Sequence, residues 1–92
     1  MDSNKYIKIV KSAVVKYVNE HLDKSDDKKI TKNDVFIVWC CKTLKNNKAL
    51  VGTTLPDGMY YELTYNGNKD ELYLDIYKKC ENICIPNPAK KI

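Results

Sequence analysis

The sequence contains no arginine, and all sixteen of its positively charged side chains are lysines. Set against 12 acidic residues, they leave a net charge of +4 at pH 7. Arginine supplies the planar, bidentate donor with which proteins read phosphates and guanine edges, so its absence is not typical of a specialised nucleic-acid reader. Diffuse attraction between surface lysines and phosphate stays open, and a nucleic-acid-associated accessory protein is the alternative function that we carry forward.

Residues that usually carry chemistry are also scarce. The three glycines are isolated, so the sequence has no phosphate-binding loop. His21 is the only histidine, and nothing places it beside a thiol with an orienting group, as a Cys–His nucleophile requires. Cys80 and Cys84 have a spacing that zinc tolerates but lack further ligands, and we expect all four cysteines to be free thiols. We therefore expect no catalytic residue, metal or cofactor, and a protein that is not an enzyme.

Long hydrophobic runs are missing as well. The longest, Val35 to Cys41, has seven residues, whereas a helix needs about 20 apolar residues to cross a bilayer. The first residues, MDSNKYIK, lack the basic patch and apolar core of a signal peptide. We expect an intracellular protein that does not associate with membranes.

This short run, within DVFIVWCCKTL, predicts the central strand of the fold because Val, Ile, Phe and Trp suit a pleated backbone. Strict alternation assigns seven residues to two faces: Val35, Ile37, Trp39 and Cys41 to one, and Phe36, Val38 and Cys40 to the other. Both faces are apolar, so we expect the strand to be covered on both sides and Trp39 to be buried.

Amphipathic spacing predicts one helix before this strand. Asp2 or Ser3 is its expected cap, and it runs to about His21 or Leu22. The polar stretch from Leu22 to Asn33 is a connector. The predicted apolar side of the helix consists of Ile7, Val10, Val14, Tyr17, Val18 and His21.

Three turn signals follow the central strand, at Asn46-Asn47, Pro56-Asp57-Gly58 and Asn66-Gly67. They delimit three further strands, Ala49–Leu55, Met59–Tyr65 and Glu71–Lys78, although the last segment also fits a helix over residues 70–82. The predicted fold is α+β, an N-terminal helix packed on a four-stranded antiparallel β-meander in the order 1-2-3-4. Residues 1–82 form the domain, and residues 83–92, which contain Pro86 and Pro88, form a flexible tail.

Alternation along the last two strands gathers five residues on one face, and this face is our candidate for binding a partner. Tyrosine combines apolar area with a polar tip, which is typical of contact surfaces, although the same tyrosines could pack across strands within one subunit. The candidate partner-binding residues are Tyr60, Glu62, Tyr73, Asp75 and Tyr77.

Three blocks and the helix carry a resemblance to a known family. The blocks are VFIVWCCKTLKNNKAL, TTLPDGMYYELTYNG and DELYLDIYKKCEN, and the helix is SNKYIKIVKSAVVKYVNEH. The chain resembles a small family of uncharacterised phage and prophage proteins from Firmicutes, classed as a domain of unknown function. The resemblance implies no catalytic motif. It implies a short accessory gene on a mobile element, expressed in the bacterial cytoplasm.

Together these observations favour a protein that acts by protein–protein interaction with a host or phage protein, including inhibition of a host defence factor such as a CRISPR effector. One helix covers one sheet face, so the other face would expose a large apolar patch. We expect a homodimer that buries this patch about a two-fold axis. The alternatives are a tail that folds back through Ile83 to Ile85 and burial by a host protein alone.

Overall fold

The computed structural model describes residues 1–22, 29–87 and 89. Its elements are α1 (Ser3–His21), a short 3-10 helix (Lys32–Asp34), β1 (Val35–Thr43), β2 (Asn46–Thr53), β3 (Met59–Asn66) and β4 (Glu71–Lys78). The strands pair antiparallel in the order β1-β2-β3-β4. The predicted α+β meander is confirmed, and β4 is a strand rather than the alternative helix. Part of the predicted connector, residues 23–28, and part of the predicted tail, residues 88 and 90–92, lie outside the described residues.

The helix begins where the sequence predicts. The carboxylate of Asp2 accepts a hydrogen bond from the backbone N–H of Lys5 at 2.9 Å, which satisfies one of the free donors of the first turn. The buried row follows strict i, i+4 steps and consists of Tyr6, Val10, Val14 and Val18. Tyr6 was missed by the sequence analysis. His21 was assigned wrongly to the apolar side, because it is exposed and its ring stacks on Tyr17.

The core lies between this helix and one face of the sheet. Tyr6 anchors it, because its hydroxyl donates to the carbonyl oxygen of Leu63 in β3 at 2.8 Å. The sheet contributes five buried side chains to the core: Val35, Ala49, Val51, Tyr61 and Leu63. The principal extents of the chain are 49 × 43 × 20 Å. The shortest of them matches two layers, one helix and one sheet, because a third layer on the far side of the sheet would add about 10 Å. The sheet therefore has one covered face and one uncovered face.

A β-bulge changes the assignment of β1. Ile37 pairs with Val51, but the next paired residue is Trp39, opposite Leu50, so Val38 is an extra residue in the strand. The insertion reverses the alternation, which moves Trp39 to the uncovered face and Cys40 to the helix side. Trp39 is 41% exposed. The prediction of a buried Trp39 was therefore wrong, and within the described chain the strand is covered on one face only.

The first hairpin turn was also predicted in the wrong place. It consists of Leu44 and Lys45, with Leu44 in the left-handed conformation (φ 55°), because pairing of Thr43 with Asn46 already closes the hairpin. Asn46 and Asn47 instead open β2, which begins earlier than predicted. Asn47 is buried, and its Nδ2 donates to the backbone carbonyl of Met1 at 3.4 Å.

The other two turns lie where predicted but differ in detail. Gly58 has the positive φ (69°) that the Pro-Asp-Gly signal indicates. The last turn spans residues 67–70 rather than two residues, and Asp70 takes the left-handed conformation (φ 51°). The Asn66 carboxamide oxygen accepts from the backbone N–H groups of Asn68 and Lys69 at 3.0 and 3.3 Å, which stabilises this longer turn.

Residues 79–87 after β4 form neither helix nor strand. Ile83 and Ile85 are 67% and 74% exposed. The alternative in which this segment folds back to cover the sheet is therefore wrong for the described residues.

Candidate partner-binding face

We call the side of the sheet opposite α1 the open face. Cross-strand register arranges its residues in three rows from β1 to β4. The rows are Phe36–Gly52–Tyr60–Tyr77, Trp39–Leu50–Glu62–Asp75 and Cys41–Lys48–Thr64–Tyr73. Aromatic side chains therefore occur in every row, and the charged side chains are Lys48 and Glu62 on the inner strands and Asp75 on the edge strand β4.

The structure brings all five predicted partner-binding residues onto the open face. Tyr60 pairs with Tyr77, Glu62 pairs with Asp75, and Tyr73 lies opposite a threonine in the next row. Alternation predicted this placement because β3 and β4 contain no bulge. Whether these residues bind a partner stays a prediction.

Trp39 and Leu50 belong to the same face but were not predicted there. The bulge in β1 reverses the side on which Trp39 lies, and the earlier first turn changes the limits of β2. No local signal in VFIVWCC marks the extra residue. The register of the neighbouring strand would be needed to find it.

Four of the five aromatic side chains of the open face are about half exposed: Phe36 47%, Trp39 41%, Tyr73 47% and Tyr77 49%. Tyr60 is partly buried. Single exposed apolar residues are ordinary, but several on one flat surface are typical of an interaction site. Tyrosine and tryptophan are also enriched among the residues that dominate binding energy. The open face therefore has the composition of a contact surface.

Phe36 owes its position to Gly52. A Cβ atom on Gly52 would lie 2.5 Å from Cζ and 2.7 Å from Cε2 of the Phe36 ring, so the ring lies directly on the glycine backbone. Such contacts are one reason for glycine inside a strand. Gly52 thus holds a large aromatic ring flat on the open face.

The two acidic side chains of the open face both lie in its middle row. Glu62 and Asp75 are direct cross-strand partners, and the ammonium of Lys48 lies 3.4 Å from a carboxylate oxygen of Glu62. Within the described part of the chain, the Asp75 carboxylate has neither a hydrogen bond nor an ion pair. Like charges placed directly opposite each other destabilise a sheet, so folding alone does not account for this pair.

A cleft of about 520 Å³ adjoins the first row of the open face. Phe36 and Tyr60 line one side, and the turn Pro56–Gly58 lines another. Lys79 also contributes to the lining, and its backbone N–H donates to the Gly58 carbonyl at 2.8 Å. The cleft is large enough to accept a single apolar side chain from a partner.

Besides that of Tyr6, two tyrosine hydroxyls are already engaged within the described chain. Tyr65 donates to the Asp70 carboxylate at 2.6 Å, and Tyr73 donates to the Glu71 carboxylate. Each of these hydrogen bonds raises the pKa of its tyrosine. Among the described residues, the hydroxyls of Tyr60 and Tyr77 have no such partner and stay available to a bound molecule.

The cysteines differ in their surroundings. Cys40 is half-buried on the helix side, where burial, and secondarily the neighbouring Cys41, raises the pKa of its thiol. Cys41, Cys80 and Cys84 are exposed, and all four are free. Across residues 1–22, 29–87 and 89, His, Cys, Asp and Glu side chains form no group of three that could hold a metal ion.

The helix of the described chain is too polar to span a membrane.

The model of one protein family, a family of unknown function (DUF6275), matches residues 7–87. The match includes most of α1 and all four strands. No curated protein and no solved structure matches the chain significantly.

Proposed function

We propose that this chain, which belongs to the DUF6275 family, acts by protein–protein interaction and binds its partner through the open face. The observation that supports the proposal most directly is the opposed pair Glu62 and Asp75 among half-exposed aromatic side chains. Such a pair costs stability in the free chain and gains a favourable interaction when a cation approaches. An acidic pair that lowers the stability of the free chain therefore fits a role in binding.

The chemistry of the open face indicates the kind of partner. Its aromatic side chains fit apolar side chains, and the Asp75 carboxylate, free within the described chain, fits a lysine or arginine. The cleft beside Phe36 and Tyr60 fits an apolar anchor. The proposed partner surface therefore carries a basic residue flanked by apolar ones.

We place this activity in the bacterial cytoplasm, as that of an accessory protein encoded by a phage or prophage. The resemblance to phage and prophage proteins of Firmicutes supports this context. The proposed partner is a host or phage protein. One candidate is a host defence factor such as a CRISPR effector. A small protein without an active site would inhibit such a factor by occupying the factor's surface.

Affinity capture from a Firmicutes host lysate, with captured proteins quantified by mass spectrometry, tests the proposal. We compare the wild type with Tyr77→Ala and Asp75→Lys, which change the open face. Glu20→Lys is the matched control, because it makes a comparable charge reversal at an exposed position of α1. We expect the recovered amount of at least one host protein to be tenfold or more lower with both open-face variants than with the wild type. The control is expected to recover it at the wild-type level.

Two outcomes would count against the proposal. Equal recovery of every protein by all four chains would mean that the open face binds none of them. The other outcome is the capture of nucleic acid that both open-face variants retain and that is released between low and moderate salt. It would favour the alternative function based on surface lysines.

A further inference from the structure

Among the described residues, no strand pairs with the outer edge of β4. The backbone N–H of Lys79 donates to Gly58 across the β3–β4 hairpin, and Lys78 pairs with Met59 in the same register. Antiparallel strands alternate the direction of their backbone groups, so those of residues 71, 73, 75 and 77 face β3. The backbone donors and acceptors of the alternate residues Leu72, Leu74, Ile76 and Lys78 therefore point away from the sheet.

The two edges of the sheet are protected differently. β1 carries the bulge at Val38, and bulges are a common device against edge-to-edge pairing. β4 pairs with β3 without interruption from residue 71 to residue 78. It contains neither proline nor a lysine before its last residue. β4 is therefore the edge that is ready to accept another strand.

Apolar side chains of β4 are also exposed on the helix side of the sheet. Leu72 is 37% exposed and Ile76 is 39% exposed, although both lie on the same face as the buried core residues Tyr61 and Leu63. The helix packs mainly across β1 and β2 and leaves these two side chains uncovered. A strand added beside β4 would cover both.

We propose that β4 pairs antiparallel with β4 of a second copy of this chain, with Leu74 at the two-fold axis. The two sheets then form one continuous sheet, and the two open faces lie side by side. This inference goes beyond the proposed function, since it concerns the edge of the sheet and not the partner that binds the open face.

The order of residues in β4 selects this register. A two-fold axis perpendicular to the sheet pairs residues of equal parity, so a nearly full overlap places either Leu74 or Asp75 on the axis. An axis at Asp75 would set two carboxylates opposite each other at a Cα separation of about 4.5 Å. An axis at Leu74 avoids this repulsion.

The Leu74 register also gives favourable neighbours. Leu72 lies opposite Ile76 of the second copy, so the two exposed apolar side chains of the helix side cover each other. Tyr73 lies opposite Asp75 of the second copy. At the ends of the paired strands, Glu71 lies opposite Tyr77 of the second copy, and the two-fold axis repeats every one of these pairs.

Packing of two open faces against each other fits less well. It would bring two copies of the Glu62 and Asp75 pair into one interface, and Lys48 is the only lysine within the three rows of each face. Because Lys48 already pairs with Glu62, the Asp75 carboxylates would be buried without a cation. Pairing of β4 edges leaves these charges in solvent.

The exposed area is sufficient for such an interface. The chain exposes 7102 Å², whereas a monomeric protein of 10.7 kDa exposes roughly 5,500 Å². A standard interface buries about 800 Å² from each partner.

Light scattering with size-exclusion chromatography tests the dimer. We expect the wild type to have twice the 10.7 kDa mass of one chain at micromolar concentration. Ile76→Lys and Val38→Lys form a matched pair, because both replace an exposed β-branched side chain, one on each edge strand. We expect Ile76→Lys to halve the mass and Val38→Lys to leave it unchanged.

Disulfide trapping tests the register independently. The background carries Cys40→Ala and serine at the other three cysteines. In the Leu74 register, the Cα atoms of residue 74 in the two copies lie about 5.5 Å apart, so Leu74→Cys brings two thiols within disulfide range. Asp75→Cys places them beyond that range. Circular dichroism confirms that each variant is folded before oxidation with a mild oxidant. We expect a covalent dimer from Leu74→Cys at a rate at least tenfold above that of Asp75→Cys.

A monomeric wild type would overturn the proposal. So would a dimer that Val38→Lys dissociates and Ile76→Lys does not, or equal trapping at the two cysteine positions. Loss of the dimer leaves the capture of a host protein by the open face unaffected, so the two proposals fail separately.

Discussion

Substitution of Gly52 by alanine tests the contact that holds Phe36 on the open face. The backbone of Gly52 does not have a positive φ, so alanine fits its conformation. The obstacle is the Phe36 ring, which a Cβ atom would meet at 2.5 Å. Because the ring is 47% exposed, it can swing outward and lose its contact with the sheet.

Two opposing terms determine the result. Alanine in place of glycine inside a strand stabilises by about 0.5–1 kcal/mol. Displacement of a half-buried phenylalanine costs about 1 kcal/mol, half of the value for full burial. We expect Gly52→Ala alone to change the free energy of unfolding by less than about 0.5 kcal/mol.

The double-mutant cycle separates these terms. In a Phe36→Ala background the obstacle is absent, so we expect Gly52→Ala to stabilise the protein by about 0.5–1 kcal/mol. The coupling between the two sites is then about 1 kcal/mol, above the 0.3–0.5 kcal/mol scatter of independent sites. Urea denaturation of the four chains at one protein concentration measures the cycle. Additive effects would refute the contact between Phe36 and the Gly52 backbone.

Three further substitutions test the core and the connections around it. Tyr6→Phe removes the hydroxyl that donates to the buried Leu63 carbonyl; we expect thermal unfolding to show a loss of about 1–3 kcal/mol, and unchanged stability would contradict the hydrogen bond. The Asn19 side chain donates to the carbonyl of Ile30 at 3.0 Å and accepts from its N–H at 2.9 Å. Asn19→Asp keeps only the acceptor, so we expect urea denaturation to show a loss of about 1–3 kcal/mol in the free energy of unfolding. If both bonds form, Asn19→Ala is destabilised at least as much. The Asp34 carboxylate accepts a hydrogen bond from a backbone N–H at 2.8 Å, which lowers its pKa below the ordinary 3.8. The ionised carboxylate therefore contributes its full stability to the fold above about pH 4. This contribution is lost as pH falls through the folded-state pKa. We expect Asp34→Asn to show a smaller loss of stability between pH 5 and pH 2, and an identical acid profile would contradict this role.

Local signals predicted most of the fold. The i, i+4 valines of α1, the Pro-Asp-Gly turn and the uninterrupted alternation of β4 each specify their structure within a few residues. The limits of β4, Glu71 and Lys78, agree with the prediction to the residue. The candidate face on β3 and β4 followed from the same alternation.

The arrangement of β1 was not predictable in this way. One extra residue, Val38, reverses the side on which every later residue of the strand lies, and only pairing with β2 reveals it. The first turn formed at Leu44 rather than at the asparagines, because strand pairing outweighed their preference for positive φ. Both errors concern long-range register, and the missed bulge placed Trp39 in the core instead of on the open face.

Prediction of Tyr6 required information from outside the helix. Its ring is buried because its hydroxyl reaches a carbonyl of β3, 57 residues later in the chain. Helical spacing alone fits Ile7 as well as Tyr6. The choice between them depends on where the helix lies on the sheet.

The central claim is that the acidic pair on the open face serves binding and not folding, and the stability of Asp75→Asn tests it most directly. Removal of one of two opposed carboxylates relieves repulsion, and Asp75 makes no hydrogen bond or ion pair within the described chain. We expect urea denaturation at pH 7 and fixed protein concentration to show a gain of about 0.2–1 kcal/mol for Asp75→Asn. Glu20→Gln is the control, and we expect a change within about 0.5 kcal/mol. A loss of stability in Asp75→Asn beyond that of the control would contradict the account, because it would mean that the Asp75 carboxylate supports the fold.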